Sequence, residues 1–243
     1  MNIAAFGLAS LIGIVAATPA TAAGPSHPTI RAMAGGTAID ALQPEKTAVL
    51  VIDFQNEYFP GGRMVIPDGA SALRNTRRLI DAADAKGVRV IHVQHVLPAA
   101  AALFAEGSKT VQFHPDMQPR SGETVVQKDN VSVFAGDSAA VLDTALKSAG
   151  IDTLIVTGLM THACVSGAAR DAAAAPRGYR VIVSSDATAT RDLDMPDGSR
   201  VGHKALHAAS LATLEDTYGD VMDTDAIIAL IQPAGAAGAA GSR

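Results

Sequence analysis

The fold of this chain is decided by the stretch Thr153-Leu154-Ile155-Val156-Thr157-Gly158-Leu159-Met160-Thr161-His162-Ala163-Cys164-Val165. The apolar, β-branched run from Thr153 to Leu159 predicts a buried strand. The Ala-rich residues from Ala163 to Ala175 predict a helix that follows it at once. The chain has one cysteine, Cys164, which therefore lies where a strand turns into a helix N-terminus.

This position of Cys164 is open to two interpretations. A helix N-terminus leaves backbone N–H groups unpaired, and together with the helix dipole they favour a thiolate, which is a nucleophile. Most free cysteines, however, are small buried hydrophobic residues with no chemical role. The motif alone does not decide between a nucleophile and a packing residue.

Alternation of strands and helices continues along the rest of the chain. Strands are predicted over 47–54, 88–96, 123–128, 153–159, 179–185 and 219–222, and helices over 70–86, 138–148, 163–175, 199–214 and 225–231. Continuous apolar strands that alternate with helices indicate an α/β fold, a doubly wound and mostly parallel six-stranded sheet with helices on both faces. Ligands bind such sheets beyond the carboxyl ends of the strands. Residues 97–122 form a long loop, a kind that is usually functional or mobile.

Composition and charge limit the classes of protein that fit this sequence. A chain of 243 residues suits one large α/β domain. The net charge is -5 and no run of Lys or Arg is present, which argues against nucleic acid as a partner. One cysteine cannot form a disulfide within the chain.

The two ends of the chain differ in composition from its middle. An apolar, uncharged run from Ile3 to Ala17 is followed by small residues up to Ala23, the layout of a secretory signal peptide. We therefore predict a signal peptide over 1–23, a linker or N-terminal arm over 24–46, the folded domain over 47–232 and a disordered tail over 233–243. The protein would then be exported to the periplasm or outside the cell, with no membrane attachment after processing. A cytoplasmic protein with a misassigned start codon is the alternative.

Three polar side chains lie at the carboxyl ends of predicted strands. Asp53 closes the first strand, Lys128 closes the third, and Cys164 follows the fourth. Each has an ordinary structural explanation by itself. A carboxylate, an ammonium and a thiol at one sheet edge together predict a nucleophilic site, because the carboxylate can take the thiol proton. We expect the ammonium to hold the pKa of Cys164 below the free value of about 8.5.

Several segments of the chain match the motifs of a known family. They are Val49-Leu50-Val51-Ile52-Asp53-Phe54-Gln55-Asn56-Glu57-Tyr58-Phe59-Pro60-Gly61-Gly62, Gly122-Glu123-Thr124-Val125-Val126-Gln127-Lys128, Thr157-Gly158-Leu159-Met160-Thr161-His162-Ala163-Cys164-Val165 and Ala169-Arg170-Asp171-Ala172. In these segments the chain resembles the isochorismatase-like cysteine hydrolases, over roughly residues 45–232. The resemblance implies strand order 3-2-1-4-5-6 and hydrolysis of a C–N bond in a small amide or ureido compound through a thioester.

The resemblance also assigns roles to individual residues. Cys164 would be the nucleophile, Asp53 the general base, and Lys128 the group that holds both and stabilises the thiolate. The oxyanion hole would consist of the backbone N–H groups of Met160 and Cys164, with a cis peptide bond before Met160. Tyr58 lies where the family places an aromatic residue over the substrate.

The remaining expectations concern substrate binding, metals and assembly. His95, at a strand end, is predicted to line the substrate pocket, with a loop-bonded imidazole as the alternative. No metal or other cofactor is expected. Some members of the family that the chain resembles carry an Asp-x-His metal motif after the first strand, but residues 61–67 lack histidine, and His92 and His95, three apart on a strand, point to opposite faces. The resemblance implies an oligomer, since the family commonly forms dimers and larger assemblies. The apolar, nearly uncharged helix 163–175 is also hard to bury fully in a monomer, and we therefore predict a homo-oligomer. A non-catalytic small-molecule-binding or scaffold protein on the same fold remains the alternative to a hydrolase.

Overall fold

The computed structural model describes residues 27–231. The strands in this range are β1 (Thr47–Ile52), β2 (Arg89–His95), β3 (Thr124–Lys128), β4 (Thr153–Leu159), β5 (Arg180–Ala189), β6 (Leu193–Asp194), β7 (Arg200–Val201) and β8 (Asp220–Met222). The α-helices are α1 (Ile30–Met33), α2 (Gly69–Asp84), α3 (Asp137–Ser148), α4 (Ser166–Ala173), α5 (His203–Thr217) and α6 (Thr224–Leu230). Short 3₁₀ turns cover Pro44–Lys46, Asn56–Tyr58 and Pro115–Met117.

Six of these strands form one parallel sheet of order β3-β2-β1-β4-β5-β8. The predicted fold class and strand order are confirmed, with β8 as the sixth strand. The other two strands, β6 and β7, pair as a separate antiparallel hairpin. This hairpin explains why α5 begins at His203 instead of residue 199, since Arg200 and Val201 pair with β6.

The sheet has a hydrophobic core on each face. Val49 and Val51 of β1 pack on the side of α2 and α6, while Leu50 and Ile52 pack on the side of α3, α4 and α5. Every residue of β1 and of β4 is buried. This is why the two central strands are continuous apolar runs in the sequence, without polar alternation.

Helix α4 buries one face within the chain itself. Ala168, Ala169 and Ala172 are each 0% exposed. The small side chains of these residues let this face of the helix lie close against the sheet, while Gly167, Arg170, Asp171 and Ala173 are only partly buried. The homo-oligomer stays a prediction, and a sedimentation mass above the 24.7 kDa of the full chain would support it.

Residues 27–46 pack along the β8 edge of the sheet. Arg31 forms an ion pair of 2.6 Å with Asp220, whose other oxygen accepts the N–H of Ile39 at 2.8 Å. Leu42 donates its N–H to the carbonyl of Leu230 at 2.9 Å. The predicted signal peptide and tail lie outside the described residues. Within 27–231, the helices are all too short or too polar to cross a bilayer.

The long loop over 97–122 is bonded to the segment that follows β1. Asn56 and Glu57 donate their N–H groups to the carbonyls of Gln112 and Thr110, each at 2.9 Å. The side chain of Gln55, which is 0% exposed, donates to the carbonyls of His95 and Val111 at 2.7 and 2.8 Å. These bonds fix the loop against the carboxyl edge of the sheet.

Strands β1 and β4 approach each other very closely at Gly158. This residue has φ +122, and a Cβ added to it would lie 2.1 Å from the carbonyl oxygen of Ile52. A side chain at this position would therefore push β4 away from β1 next to the segments that carry Asp53 and Cys164.

We predict that Gly158→Ala lowers the free energy of unfolding by about 2–4 kcal/mol, because it adds a backbone clash to an unfavourable φ. Gly150→Ala is the matched control. Gly150 has φ +67 but nothing within 4 Å of an added Cβ, so the expected loss is only about 1 kcal/mol. Urea denaturation of both variants measures the difference. Equal losses would contradict the importance of the close approach.

Candidate active site

Asp53 lies directly after β1, at the carboxyl edge of the sheet. Its backbone is left-handed, with φ 54, a conformation that Asp adopts more readily than most residues. Its N–H donates to the carbonyl of Val93 at 3.0 Å, which holds the turn against β2. The side chain is 0% exposed.

Lys128, the last residue of β3, brings the three predicted groups together. Its Nζ lies 2.9 Å from Oδ2 of Asp53 and 3.3 Å from Sγ of Cys164. It also donates to the carbonyls of Asn130 and Val131, at 3.0 and 3.2 Å. The ammonium is thus buried but surrounded by acceptors, as a buried charge must be.

Cys164 lies on a wide turn between β4 and α4. This turn, Thr161–Val165, is a single turn of π-helix, so α4 begins at Ser166 rather than at 163 as predicted. Such turns occur frequently at functional sites. The peptide bond between Leu159 and Met160 is cis, as the resemblance implied.

Two histidines hold this turn in place. Thr161 is hydrogen-bonded through its hydroxyl to Nδ1 of His207 on α5, at 2.9 Å. His162 is bonded through its Nδ1 to the hydroxyl of Thr190, at 2.5 Å. Nothing in the spacing of the sequence indicated that His207 or Thr190 would contact this turn.

The thiol of Cys164 is not activated in the way the sequence suggested. The pKa of Cys164 is raised to about 12, first by burial and then by the charge of Asp53, while the charge of Lys128 lowers it by less. The expectation of a pKa below the free value was therefore wrong, because the depth of burial cannot be read from the motif. The resting group is a neutral thiol.

The charges of the Asp53–Lys128 pair stabilise each other. Burial by itself lowers the pKa of Lys128, but Asp53 and Cys164 together outweigh it, and the net pKa is raised. Lys128 therefore stays protonated at neutral pH. The contact is an ion pair without hydrogen-bond alignment, since neither oxygen of Asp53 has a hydrogen-bond partner within the described residues. These oxygens remain available as proton acceptors.

His95 and Tyr58 both lie beside this group. Nδ1 of His95 is 3.3 Å from Nζ of Lys128, and its ring stacks on Phe104 with centroids 4.6 Å apart. Tyr58 packs edge-on against the same Phe104, at 5.4 Å. Burial, followed by the charge of Lys128, lowers the pKa of His95, so its ring is neutral at pH 7.

Two further residues support these aromatic rings without having been assigned a role from the sequence. Glu57 is 1% exposed and accepts the N–H groups of Arg63 and Phe104 at 2.9 and 3.4 Å. Gln55 accepts the N–H of His95 at 2.8 Å. Both lie in the quoted segment after β1, but their partners come from distant loops that periodicity does not locate.

Asp53, His95 and Cys164 are also possible metal ligands, since one ligand atom from each lies within 4.8 Å of the others. The Lys128 ammonium, however, already contacts all three of these side chains. A fixed positive charge at this point opposes the binding of a cation. His92, the other histidine of β2, is paired with Glu123 at 2.8 Å and takes no part in this group.

Comparison with known proteins identifies the family. A profile described as the isochorismatase domain matches residues 47–226. The isochorismatase family protein YddQ of Bacillus subtilis is 33% identical over 183 residues, which cover 75% of this chain and 98% of that protein. The secreted isochorismatase effector Isc1 of Verticillium dahliae is 31% identical, over 74% of this chain and 89% of its own length.

A solved structure and two named amidohydrolases agree with this assignment. The cysteine hydrolase of Pseudomonas syringae superimposes with a TM-score of 0.74 at 27% identity, covering 85% of this chain and 98% of that one. The maleamate amidohydrolase of Pseudomonas putida is 29% identical, over 73% of this chain and 83% of its own length. The ureidoacrylate amidohydrolase RutB of Serratia proteamaculans is 28% identical, over 76% and 82%. The chain therefore belongs to the isochorismatase family of hydrolases.

Proposed function

We propose that this protein is a cysteine-dependent hydrolase that cleaves the C–N bond of a small amide or ureido compound through a thioester. The observation that carries the proposal is the buried contact of one ammonium, Lys128, with both the Asp53 carboxylate and the Cys164 sulfur. A proton acceptor, a nucleophile and a fixed positive charge are the groups that thiol acyl transfer needs.

The first half of the reaction forms the thioester. Asp53 takes the proton of the Cys164 thiol as the sulfur attacks the amide carbon, and Lys128 stabilises the negative charge on sulfur. Asp53 then passes that proton to the leaving nitrogen, and the C–N bond breaks. Because the thiol is neutral at rest, proton transfer and attack are coupled to substrate binding.

The second half releases the acid product. Asp53 takes a proton from water, which attacks the thioester carbon. The C–S bond breaks, and the Cys164 sulfur recovers a proton from Asp53. Atoms balance as one amide plus one water giving one carboxylic acid and one amine or ammonia.

The backbone N–H groups of Met160 and Cys164 would bind the oxyanion of both intermediates. In support of this role, the Met160 N–H has no acceptor within residues 27–231 and lies at the turn that carries the nucleophile. A donor of this kind contributes roughly 10²–10³ in rate.

Tyr58 and His95 are proposed to contact the substrate. Because the ammonium of Lys128 can only donate, Nδ1 of His95 accepts and the ring proton lies on Nε2. That Nε2 is buried without a hydrogen-bond partner among the described residues, so a substrate carbonyl could accept from it. Burial raises the pKa of Tyr58 well above its usual value, which keeps its hydroxyl a donor.

The named relatives support the type of reaction. Maleamate amidohydrolase and ureidoacrylate amidohydrolase are named for amide and ureido substrates, the two classes proposed here. A non-catalytic binding protein is the competing function, and the variants below distinguish it from a hydrolase.

We predict that Cys164→Ala, Asp53→Asn and Lys128→Met each lower kcat for amide hydrolysis at least a thousandfold. The three groups act as one unit, so a double variant should be scarcely slower than a single one. Ammonia release from a panel of small amides measures the rates, and circular dichroism checks that the variants fold. Substantial turnover by Cys164→Ala would exclude the thioester.

We predict that the activity does not depend on a bound metal, and the same assay tests this after treatment with a chelator. Dialysis against a strong chelator should leave the activity of the unmodified protein unchanged, because Lys128 supplies the positive charge. Activity lost on dialysis and restored by one particular cation would overturn that part of the proposal, with Asp53, His95 and Cys164 as ligands. If the protein binds amides but cleaves none, the competing function, a non-catalytic binding or scaffold protein, is correct.

We further predict that iodoacetamide modifies Cys164 slowly at pH 7 and about ten times faster for each pH unit above it, because its pKa of about 12 leaves little thiolate. Asp53→Asn removes a like charge and should speed alkylation at pH 8 at least tenfold, equivalent to about 1.4 kcal/mol. The same variant should lose activity, so the two readouts move in opposite directions. A rate that levels off below pH 8.5 would contradict the buried neutral thiol.

We also propose that the protein is exported and that its signal peptide, residues 1–22 or 1–23, is removed. The apolar N-terminal run and a relative named as secreted support this. The expected mature N-terminus is Ala23 or Gly24, measured by mass spectrometry of protein from the native cell. Recovery of soluble protein that still begins at Met1 would reject export.

A further inference from the structure

A cleft that contains two arginines lies at the carboxyl edge of the sheet, the edge that also carries Asp53, Lys128 and Cys164. It has a volume of about 280 Å³ and is lined by Arg63, Met64, Val65, Pro67, Arg191 and Asp192. Arg191 follows β5, and the other wall follows the turn after β1. None of the steps proposed above uses either arginine.

Hydrogen bonds of residues in or next to each wall connect this cleft to the proposed active site. Arg191 adjoins Thr190, whose hydroxyl is bonded to His162, two residues before the nucleophile. On the other wall, Met64 and Ile66 donate their N–H groups to the carbonyls of Glu57 and Tyr58, each at 3.0 Å. The cleft is therefore joined to the site through the Cys164 turn on one side and Tyr58 on the other.

The two guanidinium groups are not neutralised by protein carboxylates. Across residues 27–231, no acidic oxygen lies within 4 Å of Arg63 or Arg191. Nη1 of Arg191 donates to the carbonyl of Asp192 at 3.2 Å, whereas its Nε is buried and has no hydrogen-bond partner there. Asp192, the one acid in the cleft, is bonded to the N–H and Nδ1 of His203 at 2.6 and 2.7 Å.

The charge of Arg191 acts on groups beside the nucleophile. Burial lowers the pKa of His162, and the positive charge of Arg191 lowers it further, so the imidazole adds no competing charge. The Tyr58 hydroxyl is influenced by Cys164, Asp53 and Arg191 together, and its pKa is raised chiefly by burial. Tyr58 is thus within electrostatic reach of both the triad and the arginine.

We propose that Arg191, with Arg63, binds a carboxylate on the substrate, so that the amides cleaved by this enzyme carry a negative charge. The inference rests on the proposed hydrolase function and adds its substrate class. A guanidinium is planar and offers parallel N–H donors that match a carboxylate, and its charge cannot be lost at any physiological pH. A buried, unpaired Nε is a donor that such an anion would satisfy.

The test compares acidic amides with neutral ones of the same length. Maleamate and succinamate are each paired with the corresponding diamide, in which a second amide replaces the carboxylate. We expect the unmodified enzyme to favour the acids by at least tenfold in kcat/KM. Arg191→Met should lower kcat/KM for the acids ten- to a hundredfold, the usual range for a charge-assisted hydrogen bond, and change it less than threefold for the diamides.

Arg180→Met is the matched control. Arg180 is exposed at the opposite end of β5, so this variant removes the same charge from the same strand away from the site. It should leave all four rates unchanged. Arg63→Met should resemble Arg191→Met, with a smaller effect because its guanidinium also donates to the carbonyl of Ala102 at 2.7 Å.

A binding measurement separates this inference from the proposed function. Calorimetry with maleate and succinate needs no turnover, and Arg191→Met should weaken binding at least tenfold whereas Arg180→Met should not. If no amide is cleaved but this difference is found, the hydrolase proposal fails and the carboxylate site stands. If neutral amides are cleaved as well as acids, or if Arg191→Met slows both alike, the carboxylate site is wrong and the hydrolase stands. Absence of any binding difference also overturns the site.

Discussion

The buried ammonium of Lys128 is the constraint on which the rest of the site depends. A charge taken out of water is tolerated only where acceptors surround it, so the ends of β1, β2 and β3 and the turn after β4 must meet around one nitrogen. Lys128 belongs to β3, two strands away from β1, a separation of roughly 10 Å. Only a long, flexible side chain spans that distance across β2, which explains why lysine serves here and why His95 lies alongside it.

The same arrangement explains why the thiol remains neutral at rest. Lys128 favours a thiolate, but Asp53 lies close enough to oppose one, and burial disfavours any additional charge. A thiolate becomes acceptable once Asp53 has taken the proton, because the group then still holds one anion beside the Lys128 ammonium. In the proposed mechanism, the carboxylate therefore both suppresses the thiolate and makes proton transfer to itself the route by which sulfur becomes nucleophilic.

Much of the fold and the three central groups could be predicted from sequence, for a physical reason. Strands β1 and β4 are buried on both faces, so their sequences are continuous apolar runs that can be recognised. Because the strands are parallel, side chains at their carboxyl ends must share one edge. The rest depended on tertiary contacts. The β6–β7 hairpin displaced the start of α5, β5 continued to Ala189 instead of ending at Ser185, and the burial of Cys164 reversed the expected shift of its pKa.

The greater length of β5 matters because Arg191 comes just after the true end of this strand, at the same sheet edge as Asp53, Lys128 and Cys164. Asp53, Lys128 and Cys164 lie at or just after the ends of β1, β3 and β4, whereas Arg63 and Arg191 belong to connecting segments beyond the edge. Segments of this kind can change without disturbing the sheet. The chemistry is therefore fixed by contacts that any change in β1, β3 or the Cys164 turn would break. In the proposed function, Arg63 and Arg191 select the charge of the substrate from outside that constraint, so a change at Arg191 should alter which amide is cleaved before it alters how the bond is broken.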